Sequence, residues 1–419
     1  MSERPPVTLA LVGAGNRGQT YASWVARHPD RARLVAVAEP DAVRRAAVAT
    51  QHPGAAEYES WQDLLVAGTG VDAVIIATQD REHVAPAIAF ARAGRHLLLE
   101  KPIAPTEQEC REVVDAVTAF GVRLAVCHVL RYTPYTNLLV DVLATGVVGE
   151  IMSVEHLEPV GWWHAAHSYV RGPWRSEKLA SPMLLAKSCH DLDWLSYVTG
   201  RRVARVASFG DLGHFRPEKR PEGAADRCLD CAIEPDCPYS APKLYYPVLR
   251  EKGAVWPVSA ITDATDEAGL TEALRTGPYG RCVYACDNDV VDHQVLAIEF
   301  EGGATGTFTM TAFTEQTHRQ TRIFGTHGRI IGDGERLSVL DFRTGRTEVH
   351  DAGTTGATNA GDGHGGGDDG VMAAFVESLA TGDEALIRSG PADSLAGHLA
   401  VFAAEHARHT GTVVTVPAT

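Results

Sequence analysis

At 419 residues the chain exceeds the roughly 100–200 residues typical of one domain, so two domains are expected, each large enough to bury its own core. Hydrophobic residues make up 45% and charged residues 22%, which excludes wholesale disorder, a collagen-like repeat and a disulfide-stapled miniprotein. Lys and Arg total 38 against 53 Asp and Glu, a net charge of −15 that repels a phosphate backbone and argues against nucleic acid as a partner. No apolar stretch approaches the ~18 residues of a membrane span, and MSERPPVTLALVGAG lacks the pattern of a secretory signal. The expectation is a cytoplasmic protein without a membrane partner, whose eight cysteines stay as thiols or metal ligands.

From Val7 onward, short apolar runs (VTLALVG, LVAVAE, DAVIIAT, HLLLEK, VRLAVCH) alternate with amphipathic stretches. That rhythm predicts a doubly wound α/β domain over residues 1–128, its parallel sheet buried on both faces. Helices are expected over Asn16–Arg27, Asp41–Ala49, Arg81–Ala93 and Thr106–Phe120, with Pro86 early in the third and Thr106 capping the fourth. After Arg131 the strands alternate apolar and polar, as in LAIEFEGGATGTFTMTAF, where Gly302 and Gly303 turn a hairpin. Residues 129–419 therefore read as an α+β domain with an open, mainly antiparallel sheet. Within it, a polar, Pro-rich, Cys-containing insertion runs over about 209–289, and a stretch from Ala352 to Gly370 holds eight glycines, a flexible or ligand-contacting loop.

Gly13, Gly15 and Gly18 form G-x-G-x-x-G between the first strand and a helix that opens with Asn16 and Arg17. Glycines there allow a tight turn and let backbone N–H groups approach a pyrophosphate at a helix N-terminus. Glu39 ends the second strand, where a carboxylate holds a ribose 2′-hydroxyl and repels a 2′-phosphate, so NAD is expected over NADP; Arg44 and Arg45 nearby keep NADP open. Ligands in such sheets bind beyond the carboxyl ends of the strands, which is where Thr78, Gln79, His83, Glu100 and Lys101 fall.

The order GAGNRG, ATQDREH, EKP and a later helical His resembles the glucose-fructose oxidoreductase / inositol dehydrogenase / MocA-type (Gfo/Idh/MocA) family over essentially the whole chain. The resemblance implies a Rossmann domain, a second domain with an open antiparallel sheet, an active site between them, and Lys101 in the place of the substrate-binding lysine. It also implies a dimer or tetramer formed through the sheet's outer face.

Oxidising a secondary alcohol needs a cation at the oxygen and a group to accept the proton. Lys101 supplies the first and His190, within SPMLLAKSCHDLDWLSYVTG, the second. Lys187 at i−3 and Asp193 at i+3 share its helical face, and a carboxylate beside an imidazole raises its basicity. Many members of the family carry D-x-G-x-H here; this chain has Ala186 and Ser188 at the acid and glycine positions, so either Lys187 compensates or Lys101 and His190 act alone.

Substrate contacts are expected from Arg131 and Tyr132 in HVLRYTPY, from His164, His167, Tyr169, Arg171, Trp174 and Arg175 in GWWHAAHSYVRGPWR, and from His364 and Asp368 in HGGGD. Aromatic rings interleaved with polar groups suit a carbohydrate or cyclitol. Cys228, Cys231 and Cys237, with Cys282 favoured over Cys286 as the fourth ligand, form a candidate structural zinc site. Three functions remain open: a sugar, glycoside or cyclitol dehydrogenase; a glycosidase that cleaves through a keto-sugar intermediate and returns the hydride; and a nucleotide-sensing binding protein without turnover.

Overall fold

The computed structural model describes residues 5–353 and 364–419, so residues 354–363 of the glycine-rich stretch lie outside the described residues. The first sheet comprises β1 (Val7–Val12), β2 (Ala32–Ala38), β3 (Ala56–Tyr58), β4 (Ala73–Ile76), β5 (His96–Leu99) and β6 (Leu124–Val126). All its pairs are parallel, in the order β3-β2-β1-β4-β5-β6. Order reverses beside β1, which opens a ligand crevice at the carboxyl ends of β1 and β4. The apolar runs become strands because both faces are buried: β4 and β5 contribute Val74, Ile75, Leu97 and Leu98, each fully buried. β3 has no such run, and its AEY segment gave no sequence signal.

The helix starts are set by short polar side chains. Asp41 accepts from the Val43 and Arg44 N–H groups, and Thr106 from Glu109 N–H. The expected third helix is divided into a turn over Asp80–Glu82 and a helix over Val84–Arg92, with Pro86 in its first turn, where no hydrogen bond is lost.

The second sheet is β7 (Ile151–Pro159), β8 (Val203–Asp211), β9 (His293–Phe300), β10 (Thr305–Thr311), β11 (Gln320–Gly325), β12 (Gly328–Gly332), β13 (Arg336–Asp341), β14 (Arg346–Asp351) and β15 (Val414–Thr415). Its order is β14-β13-β12-β11-β7-β10-β9-β8-β15, antiparallel except for β7 with β10. The β9–β10 hairpin turns through Gly302 and Gly303, both at positive φ. One face packs on the helix Met183–Thr199, whose Leu185, Cys189 and Leu192 join Ile298, Phe308 and Ile323 in the larger core. On the other face Phe209 and Val295 are cross-strand partners and exposed.

Late segments return to the first sheet. Val371, Met372 and Phe375 of the helix Gly367–Thr381 pack with Leu9 and Leu11, and Leu395 and Leu399 of the helix Pro391–Thr410 pack against its other face. The insertion folds into helices Ala241–Lys252 and Glu267–Thr276 around a small core of its own. Among the described residues no helix is long and apolar enough to cross a membrane.

Candidate active site

Gly13 has φ of +89°, and a Cβ there would lie 2.6 Å from the Ala77 carbonyl oxygen; a Cβ on Gly18 would lie 2.0 Å from that of Gly13. Gly15, at the N-cap of Asn16–Arg27, faces open space. The turn is thus closed by backbone on one side and open on the other, a cradle that fits a pyrophosphate. Glu39 sits at its rim, accepting from Ala14 N–H at 2.6 Å and Asp41 N–H at 3.0 Å.

Arg17, expected at the cofactor, turns away from this cradle. It bonds Glu100 at 2.6 Å, Tyr21 at 2.6 Å and Asp368 at 2.6 and 2.9 Å, tying β5 to the late helix. Burial pushes Glu100 upward, but Arg17 and the Tyr21 hydroxyl outweigh it and leave the carboxyl below its ordinary range. His83 is also internal: its ring lies between the carbonyls of Pro102 and Thr78, at 2.7 and 3.2 Å, and is fully buried. Thr78 donates to the Glu82 carbonyl, and Gln79 caps the turn Asp80–Glu82.

Lys101 lies two residues beyond β5, and its ammonium donates to the Ala186 carbonyl, one turn before His190. The helix Met183–Thr199 ends at Gly200 in the left-handed region, as the sequence predicts. His190 makes no hydrogen bond to any described residue, and its Nδ1 is buried without a partner. Its ring lies 5.7 Å from that of His128 and 6.2 Å from that of His364. Burial, then the charges of Lys101, His128, Arg319 and His364, hold its imidazolium well below the ordinary range, so the ring is neutral.

Around this pair lies a charge network that the sequence reading missed. Glu158 of β7 is buried between Lys187 Nζ at 3.1 Å and Arg319 Nη2 at 3.0 Å; Arg319 also bonds Asp191, which meets His156 at 3.1 Å. Burial lowers the Lys187 ammonium despite Glu158. His164 is buried, 3.4 Å from Gln316, and its charge interactions reach Lys187, Lys101 and His364. Tyr169 is buried 6.0 Å from His164, ring to ring. His364, at φ of +48°, meets Asp368 at 3.1 Å, and Asp368 in turn holds Arg17. A cavity of about 50 Å³ lies behind, lined by His156, Trp194, His318, Arg319 and His364 but by neither Lys101 nor His190.

Other expected contact residues bond within the protein. Asp193 does not face His190: Arg131 holds both its oxygens at 2.7 Å, because this helix position turns towards the Val129–Tyr132 segment. Tyr132 accepts from the Arg388 and Ser389 N–H groups and lies 2.9 Å from the Ser389 hydroxyl. His167 bonds the Tyr245 hydroxyl at 2.9 Å and stacks on Tyr279, while Arg171 donates to the Arg281 and Tyr239 carbonyls. Trp174 reaches Asp80 at 3.3 Å, and Arg175 pairs with Asp287. Cys228, Cys231, Cys237 and Cys282 line one cavity, yet among the described residues no three of these sulfurs come within 4.8 Å of one another; the closed tetrahedral set that zinc demands is not drawn together.

The profile of an oxidoreductase family with an NAD-binding Rossmann fold, Gfo/Idh/MocA, matches residues 7–128, and that of its C-terminal α/β domain matches residues 140–414. The Bacillus subtilis protein YteT is 26% identical over 264 residues, 62% of this chain and 59% of that protein. The inositol 2-dehydrogenase of Corynebacterium glutamicum is 28% identical over 200 residues, 47% of this chain and 56% of that enzyme. This chain thus spans less than two thirds of these relatives' length. A solved levoglucosan dehydrogenase in complex with NADH and levoglucosan shares the fold, with a TM-score of 0.72 at 20% identity, over 98% of this chain and 100% of that one.

Proposed function

The chain belongs to the Gfo/Idh/MocA oxidoreductase family, and on that premise we propose that it moves a hydride between a secondary hydroxyl of a sugar, glycoside or cyclitol and NAD. One observation carries this reading: the Lys101 ammonium meets the helix one turn before His190, near enough for its charge to act on that neutral, unpartnered ring. NAD, when bound, accepts the hydride. Lys101 exchanges the Ala186 carbonyl for the substrate oxygen and stabilises the negative charge that builds there. His190 takes the hydroxyl proton, a task that requires the neutral ring.

The Lys187–Glu158–Arg319 network offers fixed donors and acceptors to neighbouring hydroxyls, and His164, Tyr169 and His364 border it. This arrangement replaces the acid of D-x-G-x-H, with Lys187 as a positioning residue. Glu39 at the rim of the glycine cradle favours a free ribose hydroxyl over a phosphate, and so NAD over NADP. The names of the relatives, an inositol dehydrogenase and a levoglucosan dehydrogenase, support the substrate class. The exposed Phe209–Val295 pair on the open sheet face supports a homo-oligomer assembled there.

The test is a nicotinamide-absorbance screen of the purified protein against sugars, glycosides and inositols. Stoichiometric NADH with a keto product is expected. Free aglycone released with only catalytic NAD indicates the redox-assisted glycosidase, and NAD binding without turnover on any compound indicates the sensor.

A further inference from the structure

The insertion carries a second site that hydride transfer does not use. Cys228 and Cys231 flank the short turn Cys228–Asp230, Cys237 follows the next turn, and Cys282 comes from beyond the helix Glu267–Thr276. Distant in sequence, Cys282 is brought back by an isolated bridge between Arg227 and Arg281, and its N–H donates to the Asp226 carbonyl at 2.8 Å. All four thiols line one cavity of about 140 Å³. Cys286 is not part of its lining; its thiol donates to the Cys282 carbonyl at 3.3 Å.

A second, independent feature points to an anionic occupant. Arg171 lines the same cavity, is 1% exposed, and pairs with no carboxylate among the described residues. Its Nη2 faces Cys228 Sγ at 3.4 Å and its Nη1 has no partner. After burial, the charges that act on it most are those of Cys228, Tyr245, Cys286 and Cys237. A buried guanidinium is costly unless an anion meets it; Glu234 and Asp236 also line the cavity, but among the described residues neither bonds Arg171, whereas Cys228 Sγ does.

We propose that these four cysteines form a tetrathiolate site for one soft metal centre, with Arg171 offsetting part of its negative charge. As the metal binds, the four thiols release their protons to solvent and four metal–sulfur bonds form. Four thiolates around a divalent ion leave a net charge of −2, or the same around an oxidised iron–sulfur cube, and the guanidinium faces that charge. Zinc requires the sulfurs to close to about 3.8 Å from one another, since each sits about 2.3 Å from the ion, whereas an iron–sulfur cluster uses wider spacing. Both are thiolate chemistry, and the measurement separates them. The centre would staple an insertion whose own core is small and whose Tyr245 and Tyr279 hold His167, three residues from His164 at the crevice.

The experiment is metal and acid-labile sulfide analysis of the full-length protein purified under reducing conditions without chelator, followed by cobalt(II) titration of the metal-stripped protein. About one zinc per chain supports a single ion, and iron with matching sulfide supports a cluster. In either case cobalt gives sulfur-to-metal charge-transfer bands. Cys231→Ser and Cys237→Ser are expected to lower metal content at least tenfold, and Cys286→Ser to leave it unchanged. Parent protein without metal and without a charge-transfer band overturns the proposal, whether or not the variants fold, and so does metal retained by both cysteine-ligand variants. Neither readout depends on turnover.

Discussion

Two carboxylates on the helix Met183–Thr199, Asp191 and Asp193, are both fully buried and both paired with arginine, yet their environments differ. Asp191 is met by Arg319 and His156, which outweigh burial and hold its carboxyl below the ordinary range. Around Asp193 burial wins, and the carboxyl is raised despite the two Arg131 contacts. The difference teaches where each belongs: Asp191 is linked through Arg319 to Glu158 and Lys187 at the crevice, whereas Asp193 fastens the helix to the segment after β6. One side of the helix borders the residues proposed for chemistry, and the other fastens it to the segment after β6.

The largest effect is expected on the chemical side. His190→Ala and Lys101→Ala each lower kcat/KM by about 10²–10⁴-fold, the range for a positioned acid–base group, while NADH affinity by fluorescence titration is retained. On the fastening side, Arg131→Ala strips a buried carboxylate of its partner and costs about 3–5 kcal/mol in denaturant unfolding, with little change in KM for the folded enzyme. Arg319→Ala places the larger share of its effect on kcat/KM, and equal behaviour of the two arginine variants would erase the distinction.

Acid exposes the same division. His128, His164, His190 and His364 are held below their ordinary range chiefly by burial, and His167 and His398 fall to about 3. Below pH about 6.5 the unfolded chain binds protons that the native state does not, so stability falls as pH drops from 6.5 towards 3, by up to about 1.4 kcal/mol per pH unit for each ring. The melting temperature therefore declines between pH 7 and 5, and the acid limb of kcat/KM lies below the ordinary histidine range. A flat melting temperature across that window would contradict the neutral rings. The smallest effect is at the cofactor rim, where Glu39→Ala weakens NAD binding about tenfold and narrows its advantage over NADP, read by titration with both nucleotides.

What the sequence made legible was local. Gly13, Gly15, Gly18 and Glu39 lie within one β-α-β unit, and Asp41, Thr106 and Gly200 act on backbone four residues away or nearer. What it hid was long-range. Arg131, His167 and Arg171, expected at the substrate, each meet a partner 62, 78 and 57 residues away that no local pattern announces. Glu158 and Arg319 gave no signal, because a buried ion pair between β7 and the loop before β11 is invisible until the sheet forms. Alternation along β7 marks an inward position but says nothing of the charge that fills it.

The central claim is that Lys101 and His190 act on one carbohydrate carbon beside the nicotinamide. Its most direct test is single-turnover transfer of deuterium from that carbon of a labelled substrate, chosen by the absorbance screen, into the nicotinamide ring and detected by mass spectrometry. The account predicts deuterium in the reduced cofactor with the parent enzyme, and transfer at least about 100-fold slower in His190→Ala that still binds NADH. Transfer at the parent rate in that variant would contradict it.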